Sequence, residues 1–345
     1  MPFRDIKGHS QIFELLARAA ARDSLPPSLI FTGPHGVGKR MTAIALAQLL
    51  NCLDLVASGG GTRDRSGDTQ VCDACGVCAS CRRIARGVHA DVLLTAPGDT
   101  GAIKVDQVRE AVERTAYRPF EGRRRVVIVD EADALMMPAQ DALLKTLEEP
   151  PPASVFVLVT SRPDVLLPTV RSRCHRLRFG RLAAADVAAV LIAEHQYSEA
   201  DAHAAAALSD GSIGAALEGG VEGFVDAREA AAGLLDSVAA SNDPRRRLEG
   251  AKALTGAARG GSDREELARR LHALSSILRD LGVLLSRADE RCLANADLRP
   301  LLERLQRSFD GERALRAFSA VDRALSALER NASPKIVADW LAFQI

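Results

Sequence analysis

The eight residues Gly33-Pro34-His35-Gly36-Val37-Gly38-Lys39-Arg40 combine three glycines and a lysine at the spacing of a phosphate-binding loop. Gly33, Gly36 and Gly38 let the backbone turn tightly enough for successive amide N–H groups to face one anion, and Lys39 adds a point charge for terminal phosphates. Downstream, Val126-Val127-Ile128-Val129-Asp130-Glu131 is an apolar run ending in two carboxylates. At a strand end beside such a loop, Asp130 would hold Mg²⁺ through water and Glu131 would polarise the attacking water. One position departs from this chemistry. A Ser or Thr hydroxyl normally ligates the divalent ion directly after the lysine, whereas this chain has Arg40, and a guanidinium cannot ligate a cation. Arg40 is expected either to sit near phosphate or to occupy the metal's space. Two outcomes follow: nucleotide held weakly, or a loop retained only as a fold element. In both, magnesium-assisted hydrolysis suffers.

The second cluster is sulfur. Cys72, Cys75, Cys78 and Cys81 recur every third residue, and Cys52 lies upstream. Zinc takes four ligands in a tetrahedron, thiolates suit it, and a Cys-x-x-Cys turn brings two sulfurs to one ion. Five candidates are one too many. Either the run of four binds together, or Cys52 joins three of them and staples a helix end to the segment that follows. A redox role fits less well, because redox pairs seldom come as overlapping copies. Cys174 and Cys292 read as buried or incidental thiols.

Positioning these groups requires alternating strands and helices. Apolar runs at residues 28–32, 91–94, 125–129 and 155–160, with a shorter one at 176–179, predict strands. Helical patterns at 41–50, 105–115 and 139–147 fall between them. The order is that of an α/β layer with a mainly parallel sheet. Beyond about residue 180 alanine dominates, leucines recur at helical spacing, and turn signals such as Asp210-Gly211, Gly219-Gly220, Asn242-Asp243-Pro244 and Gly260-Gly261-Ser262 punctuate helices. Three domains are expected: 1–180, 181–220 and 221–345, with residues 58–68 as a surface insertion. A length of 345 residues suits two or three cores. Forty-five basic residues balance forty-five acidic ones, which excludes an independent polyelectrolyte binder. No run approaches the roughly 18 apolar residues of a membrane helix. The first residues lack a secretory core, so a cytoplasmic protein is expected.

Two further segments, Leu143-Leu144-Lys145-Thr146-Leu147-Glu148-Glu149-Pro150-Pro151 and Leu167-Pro168-Thr169-Val170-Arg171-Ser172-Arg173-Cys174, complete a pattern. With the loop, the acidic strand and the cysteines, the chain resembles the bacterial DNA polymerase III clamp loader, an AAA+ assembly, and within it the delta prime family of subunits. The motifs lie within roughly residues 1–220, and the helical remainder agrees in length and class only. The resemblance implies an AAA+ P-loop domain with a zinc-binding insertion, then a small helical lid and a C-terminal helical bundle, the collar, that mediates oligomerisation. It implies zinc on Cys52, Cys75, Cys78 and Cys81, with Cys72 the extra thiol. Arg173 falls where the family offers an arginine in trans to ATP held by a neighbouring subunit, a role worth about 10³ to 10⁵ in rate. Thr160 falls at the first sensor. Motor subunits carry a sensing arginine in a Gly-Ser-x-Arg helix start, and Gly211-Ser212-Ile213-Gly214 has glycine there. The implied cofactor is Zn²⁺, with ATP weak or absent. The implied partners are the gamma/tau ATPase subunits, the delta subunit, the sliding clamp and, through the assembly, primed DNA.

Two other readings compete. Intact Lys39, Asp130 and Glu131 suit a motor subunit that hydrolyses its own ATP. The cysteines with Arg123-Arg124-Arg125 suit a zinc-dependent DNA-binding module, although basic triplets are usually solvated faces.

Overall fold

The computed structural model describes residues 1–57, 72–98, 101–209, 211–218, 220–240, 243–255, 263–288, 293, 295, 298–330 and 332–345. The expected insertion at 58–68, Cys292 and the break at 260–262 lie outside the described residues, as do Asp210, Gly219 and Asn242. The chain forms two compact units, Met1–Leu182 and Ala183–Ile345.

The first unit runs α1 (Ser10–Ala21), β1 (Ser28–Thr32), α2 (Lys39–Asn51), β2 (Val56–Ala57), β3 (Cys72–Asp73), α3 (Ala79–Ala85), β4 (Val92–Thr95), α4 (Val105–Thr115), β5 (Arg125–Val129), α5 (Met137–Glu148), β6 (Ser154–Thr160), α6 (Pro168–Arg171) and β7 (His175–Arg178). Five strands form one parallel sheet in the order β4-β5-β6-β1-β7, and β2 pairs with β3 in an antiparallel hairpin. Every residue of β1, β5 and β6 is buried, as a sheet covered on both faces requires, which is why those strands are continuous apolar runs. Alternate side chains go to opposite faces. Leu29, Phe31, Val126 and Ile128 join Phe13, Leu16 and Leu46 from α1 and α2 in one core. Ile30, Val127, Val129 and Phe156 join Val108, Leu143 and Leu147 from α4 and α5 in the other.

Helix 105–115 has the expected bounds, and β1 and β5 match residue for residue. α2 starts at Lys39, two residues before expectation, because Gly38 takes a left-handed conformation (φ 96°) that starts the helix immediately after the loop. β4 lies one residue later than expected because Asp91 turns inward to bind a neighbouring loop. Helix α1 and the β2–β3 hairpin are additions to the expected elements.

The second unit runs α7 (Ala184–His195), α8 (Glu199–Leu208), α9 (Ile213–Glu218), α10 (Gly220–Ala240), α11 (Pro244–Leu254), α12 (Asp263–Leu285), α13 (Arg299–Leu305), α14 (Gly311–Glu329) and α15 (Pro334–Gln344), with no strand among its described residues. α10 packs on α11 and α12, and α12 packs on α14. Leu234, Leu235, Leu271, Leu274, Leu281 and Val321 fill its core. No helix of the described residues is long and apolar enough to cross a membrane.

Candidate nucleotide site, arginine finger and metal centre

The glycine loop leaves the C-terminal end of β1, next to the end of β6, where Thr32 pairs in register with Thr160. Gly33 has φ 148°, and a Cβ there would fall 2.2 Å from the carbonyl oxygen of Phe179, so only glycine lets the loop pass. His9 braces the loop from outside, its Nε2 3.1 Å from the Val37 carbonyl and its ring edge against Phe179. Lys39 is buried and donates from Nζ to the carbonyls of Gly33 at 2.8 Å and Pro34 at 2.5 Å. Burial pushes its ammonium below the ordinary lysine value, while the carboxylates of Asp130 and Asp133 pull it back up.

Arg40, second residue of α2, reaches across to the acidic strand end. Its Nη1 lies 3.2 Å from Oδ2 of Asp130. Oδ1 of Asp130 accepts the Glu131 amide at 3.1 Å, so both oxygens of the carboxylate that would hold a metal's water are engaged. Glu131 itself is exposed and takes a left-handed conformation (φ 48°). Arg40 thus lies against the carboxylate expected to face a divalent ion. The Thr160 hydroxyl donates to Oδ1 of Asp133 at 2.7 Å and accepts the Arg162 amide, while Arg162 Nε donates to Oδ2 of Asp133 at 3.0 Å. Burial alone would raise the Asp133 carboxyl, but these two partners hold it below the ordinary value. Asp133 and Arg162 were not among the expected site residues. Asp133 belongs to the same acidic run as Asp130, but nothing in the spacing identifies its partners.

Arg173 follows α6, which Val170 and Leu166 anchor in the core beneath α5. Its Nη1 donates to the Thr169 carbonyl at 2.8 Å, and its Nη2 pairs with Glu148 at the end of α5. Glu148 is half-exposed, and pairs of this kind are worth about 0–1 kcal/mol. Cys174 lies buried beside it, and burial pushes its thiol up to about 11, which makes it inert packing. Gly214 lies in α9, where the Ser212 hydroxyl accepts the Ala215 amide and caps the first turn.

The sulfurs of Cys52, Cys75, Cys78 and Cys81 lie within 4.8 Å of one another, the one such group among the described residues, and Cys72 is not part of it. Tetrahedral zinc with Zn–S bonds near 2.3 Å places sulfurs about 3.8 Å apart, so the four fit the ion with small adjustment. Cys52 follows the last residue of α2, Cys78 precedes α3, and the amides of Cys75, Cys78 and Cys81 donate to the sulfurs of Cys52, Cys75 and Cys78. Such N–H···S bonds stabilise thiolates. Burial would raise the Cys78 thiol, but the Cys81 and Leu53 amides hold it at about 6, whereas burial raises Cys52 and Cys81. Four thiolates this close repel one another, and a dication would offset that repulsion. Asp73, buried beside the cluster, accepts the amides of Phe3, Arg4 and Ala74, and Arg4 donates to the carbonyls of Ala74 and Cys75, tying the first residues to the module.

A parallel sheet with a glycine loop after β1, an acidic end on β5 and a hydroxyl on β6 defines a P-loop module of the AAA+ class. Residues 8–183 match the family described as DNA polymerase III, delta subunit, and since that is just over half of the chain, the chain belongs to it. A gamma/tau subunit of DNA polymerase III from Mycobacterium tuberculosis is 33% identical over 189 residues, 55% of this chain and 30% of that protein. A delta' subunit from Pseudomonas aeruginosa is 38% identical over 143 residues, 41% of this chain and 39% of that one. The chain thus spans about a third of the length of these relatives. A solved gamma-subunit-related protein from Thermotoga maritima shares 18% identity at a TM-score of 0.41, over 95% of this chain and 96% of that one.

Proposed function

We propose that this chain is a non-hydrolysing clamp-loader subunit of the delta prime type in the bacterial replicative DNA polymerase III. In this reading Arg173 is offered in trans to ATP bound by a neighbouring gamma/tau subunit. The chain joins those subunits and delta in a ring that helps load the sliding clamp on primed DNA in the cytoplasm. The observation that carries the reading is the Arg40–Asp130 pair, which sets a guanidinium against the carboxylate that would hold the metal's water. The lightly held guanidinium of Arg173 is consistent with it. Zinc on Cys52, Cys75, Cys78 and Cys81 serves structure: it closes the module that follows α2. Residues 181–220 act as the lid and 221–345 as the collar. The exposed apolar side chains of Leu315 and Phe318 on α14 and of Ile336, Trp340 and Phe343 on α15 suit a helix-to-helix contact with another subunit.

The test is ATP turnover in the reconstituted assembly. Arg173→Ala should leave the isolated chain folded and lower assembly turnover by roughly 10³ or more at the site it serves. An unchanged rate removes Arg173 from the mechanism. Buried Lys39 and intact Glu131 favour a self-hydrolysing subunit instead. Steady-state phosphate release by the purified chain, abolished by Asp130→Asn, would put that second reading in place of the non-hydrolysing one.

A further inference from the structure

We infer that the loop at residues 33–40 takes a nucleotide polyphosphate without a divalent cation, the guanidinium of Arg40 standing in the metal's place. This deepens the reading of the loop as a degenerate nucleotide site and rests on it. Magnesium at such a loop needs two things from the protein: a hydroxyl after the lysine and a carboxylate with an oxygen open to the ion's water. Here the first is absent and the second is already paired with a cation. The hydroxyl is replaced by Arg40, Oδ2 of Asp130 holds Arg40 Nη1 at 3.2 Å, and Oδ1 holds the Glu131 amide at 3.1 Å. A dication entering would meet the positive charge of Arg40 beside a carboxylate already paired with it. The residues present therefore do not fit magnesium.

They do fit a bare phosphate chain. The guanidinium is a planar fork of five donors, so engaging Asp130 through one nitrogen leaves others for phosphate oxygens, and the side chain is 53% exposed, open to a ligand. Asp130 draws one nitrogen of the fork to the strand end beside the loop, leaving the rest of the guanidinium free to turn toward phosphate. Lys39 stands next to it at the start of a 13-residue helix, with the amides of the glycine loop. Of the nearby carboxylates, Asp133 is matched by Arg162, and Glu131 is in water. Occupancy has one built-in cost. The Lys39 ammonium must give up the Gly33 and Pro34 carbonyls for phosphate, so affinity is modest.

The experiment measures ADP and ATP binding to the full zinc-loaded chain by calorimetry, with magnesium titrated from none to excess. No chelator is added, since it would compete for the zinc. The expected result is binding whose Kd shifts by less than about threefold across the titration. Arg40→Ser should weaken metal-free binding by roughly tenfold and acquire a magnesium dependence of the same size. Arg40→Lys, which keeps the charge, should stay indifferent to magnesium. The inference is overturned if magnesium tightens native binding more than threefold. It is also overturned if no nucleotide binds under either condition, or if Arg40→Ser binds metal-free nucleotide as well as the parent. Should Arg40→Ser lose its fold or zinc, the native titration alone decides. Phosphate release from the same samples separates the two readings. Magnesium-dependent binding without turnover sinks only the metal-free site, whereas turnover by the native chain sinks the non-hydrolysing assignment.

Discussion

Asp91 gives the sharpest test of how the first unit holds together. Its side chain is fully buried and accepts the amides of Phe120 at 2.7 Å, Glu121 at 2.8 Å and Gly122 at 2.7 Å, plus Arg125 Nη2 at 2.8 Å. Burial alone would raise its carboxyl, but these donors hold it at about 2 against an ordinary 3.8. That difference corresponds to about 2.5 kcal/mol of stability at neutral pH. Asp91→Ala also strands the Arg125 guanidinium, 8% exposed, without its counter-charge, bringing the cost to roughly 3–5 kcal/mol. Domains are typically stable by about 5–15 kcal/mol, and each kcal/mol moves Tm by about 2–4 °C at this size, so the transition should drop by roughly 10 °C. Urea unfolding followed by circular dichroism, with Asp91→Asn alongside, measures it. Because the folded carboxyl lies below its unfolded value, the charge-dependent part is fully present above about pH 4 and mostly gone by pH 2. The gap between parent and Asp91→Asn should close over that window. A cost below about 1 kcal/mol for Asp91→Ala, or a gap indifferent to pH, would refute the reasoning.

Two more outcomes follow from the same geometry. Mass spectrometry under native conditions should find about one zinc per chain, retained in Cys72→Ser and lost in Cys75→Ser; loss with Cys72→Ser would mean that the ligand set is wrong. Gly33→Ala should destabilise the first unit by about 2 kcal/mol or more, since its Cβ has no room beside the Phe179 carbonyl, and parent-like thermal stability would contradict the loop geometry.

Local patterns are legible in the sequence. Buried strands are continuous apolar runs, so β1 and β5 can be bounded to the residue, and β6 to within one. Gly33, Lys39 and Asp130 stand out because a phosphate loop and its acidic strand end have fixed chemistry at fixed spacing, whereas Thr160 is marked by the family resemblance. Helix α1 has apolar side chains at Phe13, Leu16 and Ala17, a helical signal that lies outside the expected elements. Pairings between distant residues are not legible. Spacing carries no record that Arg40 meets Asp130, that Asp91 meets Arg125, or that Asp73 takes the amides of Phe3 and Arg4, since each depends on which elements the topology brings side by side. The choice among five cysteines is of the same kind: the run alone leaves it open, and the end of α2 brings Cys52 to the other three.

The same helix, α2, has the phosphate loop at one end and the sulfur cluster at the other, 13 residues or about 20 Å away. Its final turn is pinned by Gln48 to the Cys81 carbonyl, by Asn51 to the Arg124 amide, and by the Arg123 guanidinium on the Cys52 carbonyl. It is a strut fastened at its far end. Were a metal held by those sulfurs removed, fraying would start there, at the end of α2 away from the glycine loop.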